Sequence, residues 1–340
     1  MTPPLPIRLQ IETTDICNLK CRMCTREVIE GMNTKTIELD QFKKTIEEVS
    51  PYYVTLNGLG EPLLDKTIFE KLAFLHDQGI MTAMPTNGSY IRGEKLEHLA
   101  RNLPDTLTFS IDGATRESFE YVRVRGDFNQ IIANYHALLE RWSEGNARPN
   151  TRIQVLCALQ KANLGDFRQM YVLKKSMPEV HSFNLAPVFD YDTEGGTFRQ
   201  LIPTREDVLK VHSEIDQAIR GTQDLDEQQF YSKWRSVSSV WLKERQSQEG
   251  TLHESACLVP WYSTYIDAKG QVYPCCYLLN SPHVMGNINE ESFSQIWHGE
   301  RYKKFRNSLV TGRKELTGCR TCPKNDDHRL RQLNLIRIAL

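Results

Sequence analysis

The stretch "ETTDICNLKCRMCTR", residues 12–26, places three cysteines, Cys17, Cys21 and Cys24, directly after an apolar, strand-like run. Structural zinc is held by four ligands in paired spacings, and here a fourth ligand is missing and no histidine lies nearby. A redox pair made of Cys21 and Cys24 leaves Cys17 unexplained. Three thiolates on a 4Fe–4S cluster leave one iron open, and an open coordination site is what chemistry needs. A second group stands near the end of the sequence: Cys257, Cys275, Cys276, Cys319 and Cys322. Only Cys157 stands apart, and in mid-strand it reads as a small buried hydrophobe.

The remaining composition sets limits on function. A formal net charge of -1 offers no electrostatic argument for nucleic acid or an anionic membrane, so neither is expected as a partner. No apolar run approaches the roughly 20 residues of a membrane span. The opening "MTPPLPIRLQ" lacks a basic region followed by an apolar one, so no secretory signal is read and a cytoplasmic protein is expected. In that compartment thiols stay reduced, which makes clustered cysteines ligands or reactive groups rather than disulfides.

The elements that must position these residues alternate. Strand candidates fall at 7–14, 52–58, 81–88, 105–113, 151–160 and 181–189, and helical spacing of apolar residues at 39–49, 66–79 and 129–142. Repeated β-α units imply a parallel sheet with helical crossovers, an α/β fold whose function sits at the carboxyl ends of the strands. Cys17, "GLGEP" (58–62), "TNG" (86–88) and "SIDG" (110–113) lie at such ends. Three divisions are expected: a core at 1–199, a polar helical connector at 200–254 with Trp234 and Trp241 on its apolar side, and a cysteine-rich domain at 255–340. The connector reads as a solvated spacer or as a lid. The last domain is too small to rely on a hydrophobic core alone, so a metal staple is expected there.

"CNLKCRMC" resembles the CxxxCxxC signature of radical S-adenosylmethionine (SAM) enzymes, in which three cysteines hold a 4Fe–4S cluster and SAM chelates the open iron. Met23 stands where the family often has an aromatic residue. "GLGEP" resembles the family's GGEP motif, with Leu59 in place of one glycine, and implies that Gly58, Gly60, Glu61 and Pro62 contact the methionine amino group. Thr86, Asn87, Ser110, Asp112 and Asn163 fall where relatives line the SAM site, as does the segment "NLAPV" (184–188); for Ser110 and Asp112 local turn capping is the competing role. The resemblance implies a partial (β/α)6 TIM-like barrel, and reduction by an external donor such as flavodoxin or ferredoxin.

The second group resembles the twitch/SPASM C-terminal domains of the same family, which carry auxiliary 4Fe–4S clusters. By that resemblance Cys257, Cys275, Cys319 and Cys322 make one fully ligated cluster, two clusters in all. A four-cysteine zinc site competes with it. Cys276 is left as a spare thiol, or as the hydrogen-atom donor of an epimerase. The single auxiliary cluster resembles the arrangement in the aminocyclitol dehydrogenase of butirosin biosynthesis. It implies SAM cleavage to a 5′-deoxyadenosyl radical, hydrogen abstraction from a small polar substrate, and an electron passed to the auxiliary cluster. Peptide maturases often carry a further domain before the first cluster, for which the 16 residues preceding Cys17 leave no room, so a small substrate is expected. A maturase, the activator of a partner enzyme and a non-enzymatic iron–sulfur or zinc protein are the alternatives. Arg123, Arg125, Asp190, Tyr191 and Asp192 read as a solvated loop face without an assigned role.

Overall fold

A computed structural model describes residues 3–29, 31–32, 34–144, 151–189, 198–242 and 257–311, together with 316, 319 and 322. Asp190, Tyr191 and Asp192 lie outside the described residues, as do 243–254 of the expected connector.

In chain order the first elements are β1 (Arg8–Ile11), β2 (Lys20–Cys21), α1 (Leu39–Val49), β3 (Tyr53–Leu56), α2 (Ile68–Asp77) and β4 (Met81–Thr86). Next come α3 (Glu94–Arg101), β5 (Thr106–Ser110), α4 (Arg116–Val122), β6 (Arg123–Val124), α5 (Phe128–Glu144), β7 (Arg152–Leu159), α6 (Phe167–Ser176) and β8 (Val180–Pro187). The series ends with α7 (Arg205–Gly221), α8 (Leu225–Ser238), α9 (Val259–Tyr262), β9 (Ser263–Ile266), β10 (Gln271–Tyr273), β11 (Gly286–Asn287), α10 (Phe293–His298) and α11 (Glu300–Thr311). All six strand candidates are strands, and α1 occupies the expected span because Phe42, Ile46 and Val49 recur on one buried face.

The chain divides into two compact units. Unit 1 holds residues 1–16, 29–83 and 247–340. In it β1 pairs in parallel with β3 on one side and with β9 on the other, β3 pairs in parallel with β4, and β9, β10 and β11 form an antiparallel meander. Leu9, Ile11, Val54, Leu56, Ile266 and Val272 are buried at 0–1% exposure, each such side chain contributing roughly 1.5–3 kcal/mol. Thr264 turns the same way, its hydroxyl meeting the Tyr302 hydroxyl of α11 at 2.6 Å. The alternate residues make a polar face. The register sets Tyr273, Tyr265, Gln10 and Thr55 in one row across β10, β9, β1 and β3.

Unit 2 holds 17–28 and 84–246. Strands β5, β7 and β8 run parallel, and Ile153, Val155, Cys157 and Leu159 of β7 are fully buried on alternate positions. The connector packs as part of this unit. Trp234 of α8 is buried, its indole donating to the Leu164 carbonyl at 3.0 Å, while Phe230 stacks edge-on against Phe183 of β8. Trp241 donates to the Val188 carbonyl at 3.2 Å. A solvated spacer would not bury Trp234; Trp241 is half-buried.

Candidate active site

In unit 2 the first three cysteines are gathered by a turn and a short ladder. The Cys24 amide donates to the Cys21 carbonyl at 3.0 Å, and β2 pairs Cys21 with Arg123 of β6. Each thiolate is close enough to the others to oppose their ionisation: burial first, with Cys24 and Cys17 adding to it, pushes the Cys21 thiol up to about 12. The Arg123 guanidinium works the other way. Its NH1 donates to Cys21 Sγ at 3.9 Å, and its Nε donates to Asp112 Oδ2 at 2.7 Å. Asp112 is 1% exposed, and its Oδ1 accepts from the Ala158 amide at 2.6 Å.

The expectation of a solvated face is therefore overturned for Arg123, which is 8% exposed. A carboxylate as deeply buried as Asp112 needs a counter-charge, and β6 delivers it. Sequence reasoning missed this because "VRVRG" has no signature; the signal was a carboxylate in "SIDG" that burial would leave unpaired. Arg125 is exposed as expected, in the left-handed region at φ 71°.

The strand-end residues surround this pair. Asn87 Nδ2 lies 3.9 Å from Cys17 Sγ and donates to Asn18 Oδ1 at 3.0 Å. The Thr86 hydroxyl accepts from the Gly88 amide at 3.0 Å, and Ser110 closes β5 half-buried. Asn163 is fully buried, donating to the Asp112 and Ala158 carbonyls at 2.9 and 3.0 Å and accepting from the Gln160 amide at 2.8 Å. It ties the ends of β5 and β7 together.

In unit 1 "GLGEP" follows β3. The Glu61 amide donates to the Ile16 carbonyl at 2.8 Å, and its carboxylate caps the following turn by accepting from the Leu63 amide at 3.2 Å. Pro62 opens that turn at its first position, where no amide is needed. A Cβ on Gly60 would overlap the Thr14 carbonyl oxygen, and Gly58 lies against the Glu12 side chain. Glu12 holds the loop: Oε1 accepts from the Leu59 amide at 2.5 Å and Oε2 from the Ala268 amide at 3.2 Å. Burial pushes its carboxyl up to about 7 and that of Asp267 up to about 6. Glu12 and Asp267 carry no sequence motif, and their meeting follows from β1–β9 pairing alone.

The second cysteine group also lies in unit 1. Burial, with Cys276, Cys319 and Cys257 as its nearest acidic neighbours, raises the Cys275 thiol well above its ordinary value. The Cys322 amide donates to the Cys319 carbonyl at 3.4 Å, so this pair shares a turn. Both donor sets fit iron–sulfur clusters: each gathers three or more thiols, half-buried apart from the buried Cys319, whose protons a bound metal displaces.

A family profile for the Radical SAM superfamily matches residues 11–151, and one for the iron–sulfur cluster-binding SPASM domain matches 257–323. The chain thus carries a radical SAM domain followed by an SPASM domain, and it is a radical SAM enzyme. The first domain binds a 4Fe–4S cluster and SAM, and the second binds additional iron–sulfur clusters. Along 330 residues the chain is 26% identical to an AdoMet-dependent heme synthase of Methanosarcina barkeri, covering 91% of this chain and 89% of that protein. Over 68 residues it is 35% identical to the S-adenosyl-L-methionine-dependent 2-deoxy-scyllo-inosamine dehydrogenase of Niallia circulans, 20% of this chain and 27% of that one. The structure superposes on Streptococcus suis SuiB bound to precursor peptide SuiA with a TM-score of 0.63 at 15% identity, over 92% of this chain and 67% of SuiB. That likeness shows the fold, a mostly parallel α/β arrangement consistent with a partial TIM barrel. Among the described residues no helix is long and apolar enough to cross a membrane.

Proposed function

We propose that the enzyme oxidises a small polar organic molecule, an amino sugar or aminocyclitol, by two electrons. Cys17, Cys21 and Cys24 are the ligands of the SAM-binding cluster, and Gly58, Gly60, Glu61 and Pro62 form the cradle for the methionine end of SAM. Thr86, Asn87 and Ser110 line the cofactor, while Asp112 and Asn163 hold Arg123 and the strand ends in place. Cys257, Cys275, Cys319 and Cys322 are the ligands of one auxiliary cluster, and Cys276 is a spare thiol beside it. When bound, the reduced cluster with SAM supplies a hydrogen-abstracting 5′-deoxyadenosyl group, and the auxiliary cluster supplies an electron acceptor. The protein's part is to hold these groups and exclude water.

The observation that carries the reading is the second thiol group itself, in which Cys276, Cys319 and Cys257 are near enough to Cys275 to oppose its ionisation. A net oxidation needs a place for the electron that the substrate gives up after losing a hydrogen atom, and this set supplies one. A second reading, a tetrapyrrole substrate, is favoured by the relative matched along 91% of the chain, whose name is heme synthase.

The test is made on anaerobically reconstituted protein. About eight irons are expected, and about four in the variant carrying Cys17→Ala, Cys21→Ala and Cys24→Ala. SAM and dithionite should yield 5′-deoxyadenosine with the wild type and none with that variant. Zinc in place of iron, or SAM cleavage by the triple variant, would overturn the assignment. A carbonyl product from an aminocyclitol favours the first reading, and turnover of a porphyrin alone favours the second.

A further inference from the structure

The polar face of unit 1 ends in a cavity that none of these roles uses. About 30 Å³ is open between Glu12, Asp15, Asp267, Lys269, Gln271 and Tyr273, the room of roughly one water or one ammonium group. Three carboxyl groups border it, with Lys269 as the cation among its lining residues, and the lining is short of hydrogen-bond donors.

Asp15 makes the deficit specific. It is 1% exposed, and its Oδ1 accepts from the Thr34 and Lys35 amides at 2.7 and 2.8 Å. Its Oδ2 is buried with no partner. Leaving such an oxygen unpaired costs on the order of 1–3 kcal/mol, more when charged. The same sheet face holds further buried polar atoms without partners, the Tyr265 hydroxyl and Thr55 Oγ1. Register sets these two on either side of Gln10, in the row next to Glu12 and Asp267. The Tyr265 hydroxyl faces the Glu12 carboxylate without closing a hydrogen bond of ordinary geometry.

A metal ion is a poorer match. Among the described residues no three His, Cys, Asp or Glu side chains converge as ligands of one ion. An ammonium instead donates three hydrogen bonds to acceptors set further apart.

We propose that Glu12, Asp15 and Asp267 form a subsite for an ammonium group of the substrate. The substrate then carries an amine. The inference rests on the proposed oxidation of an amino sugar or aminocyclitol and assigns the residues that hold its amine.

The test uses full-length protein with clusters reconstituted and SAM bound, titrated calorimetrically with paired probes. 2-Deoxystreptamine and glucosamine are set against scyllo-inositol and glucose. An amine-bearing probe is expected to bind at least about tenfold tighter than its neutral counterpart, and Asp15→Asn should remove that margin. Asp267→Asn should do the same, and it carries the test if Asp15→Asn fails to fold. Equal binding within pairs, no binding of either, or a margin kept in the variants overturns the subsite. So does a heat of binding from MgCl2 or KCl alone that the variants abolish, which would mark a metal-ion site. Wild-type deoxyadenosine formation is measured in parallel. Its absence brings down the proposed oxidation, whereas its presence without amine discrimination brings down this inference alone.

Discussion

Arg123 joins two buried acidic partners, the Asp112 carboxylate at 2.7 Å and Cys21 Sγ at 3.9 Å. Arg123→Met leaves Asp112 as an unpaired buried charge, and breaking such a pair costs about 3–5 kcal/mol. Urea unfolding should show that loss, and adding Asp112→Asn should restore part of it; a neutral Arg123→Met would mean that the pair is not formed in solution. Glu12 has a pH signature. Its carboxyl is raised from 4.5 to about 7 by burial. For an acid shifted upward, stability is fully present below the unfolded value and is lost as pH climbs through the folded one. The gap between the thermal midpoints of wild type and Glu12→Gln should therefore shrink from about pH 5 to about pH 8. A gap that stays constant would show that Glu12 ionises normally.

At the scale of elements, "GLGEP" depends on close approach. A Cβ at Gly60 would overlap the Thr14 carbonyl oxygen and come within 2.8 Å of its carbon, backbone that cannot rotate aside. Gly79, which ends α2 at φ 69°, has nothing within 4 Å of an added Cβ. Gly60→Ala is expected to weaken SAM binding at least tenfold, whereas Gly79→Ala should cost about 1 kcal/mol of stability and leave SAM binding alone. Equal SAM affinities for the two variants would remove the cradle from the cofactor site. The same contrast explains what was legible in the sequence. Strands such as β7 announce themselves because alternate residues are buried, and α1 because Phe42, Ile46 and Val49 share a face. The Asp112–Arg123 pair and the Glu12–Asp267 meeting carry no periodicity. They are products of β6 and β9 finding partners far along the chain, information that local spacing does not hold.

For the whole molecule, the two thiol groups make separable demands. Cys319→Ala with Cys322→Ala should lower iron from about eight to about four per chain. It should still allow SAM cleavage to deoxyadenosine under dithionite while abolishing a two-electron oxidised product. Loss of SAM cleavage as well would mean that the second group serves folding rather than electron removal.

The parallel pairing of β1 with β9 has a consequence during synthesis. Arg8 lies beside Ser263 in the finished sheet, so one flank of β1 waits for a strand made about 250 residues later. At ribosomal speeds of 5–20 residues per second that wait is roughly 10–50 seconds. Throughout it, an apolar strand with unpaired amides and carbonyls stands ready to pair with a neighbouring nascent chain. The yield of soluble enzyme should therefore depend on how quickly translation proceeds and how densely ribosomes crowd the message.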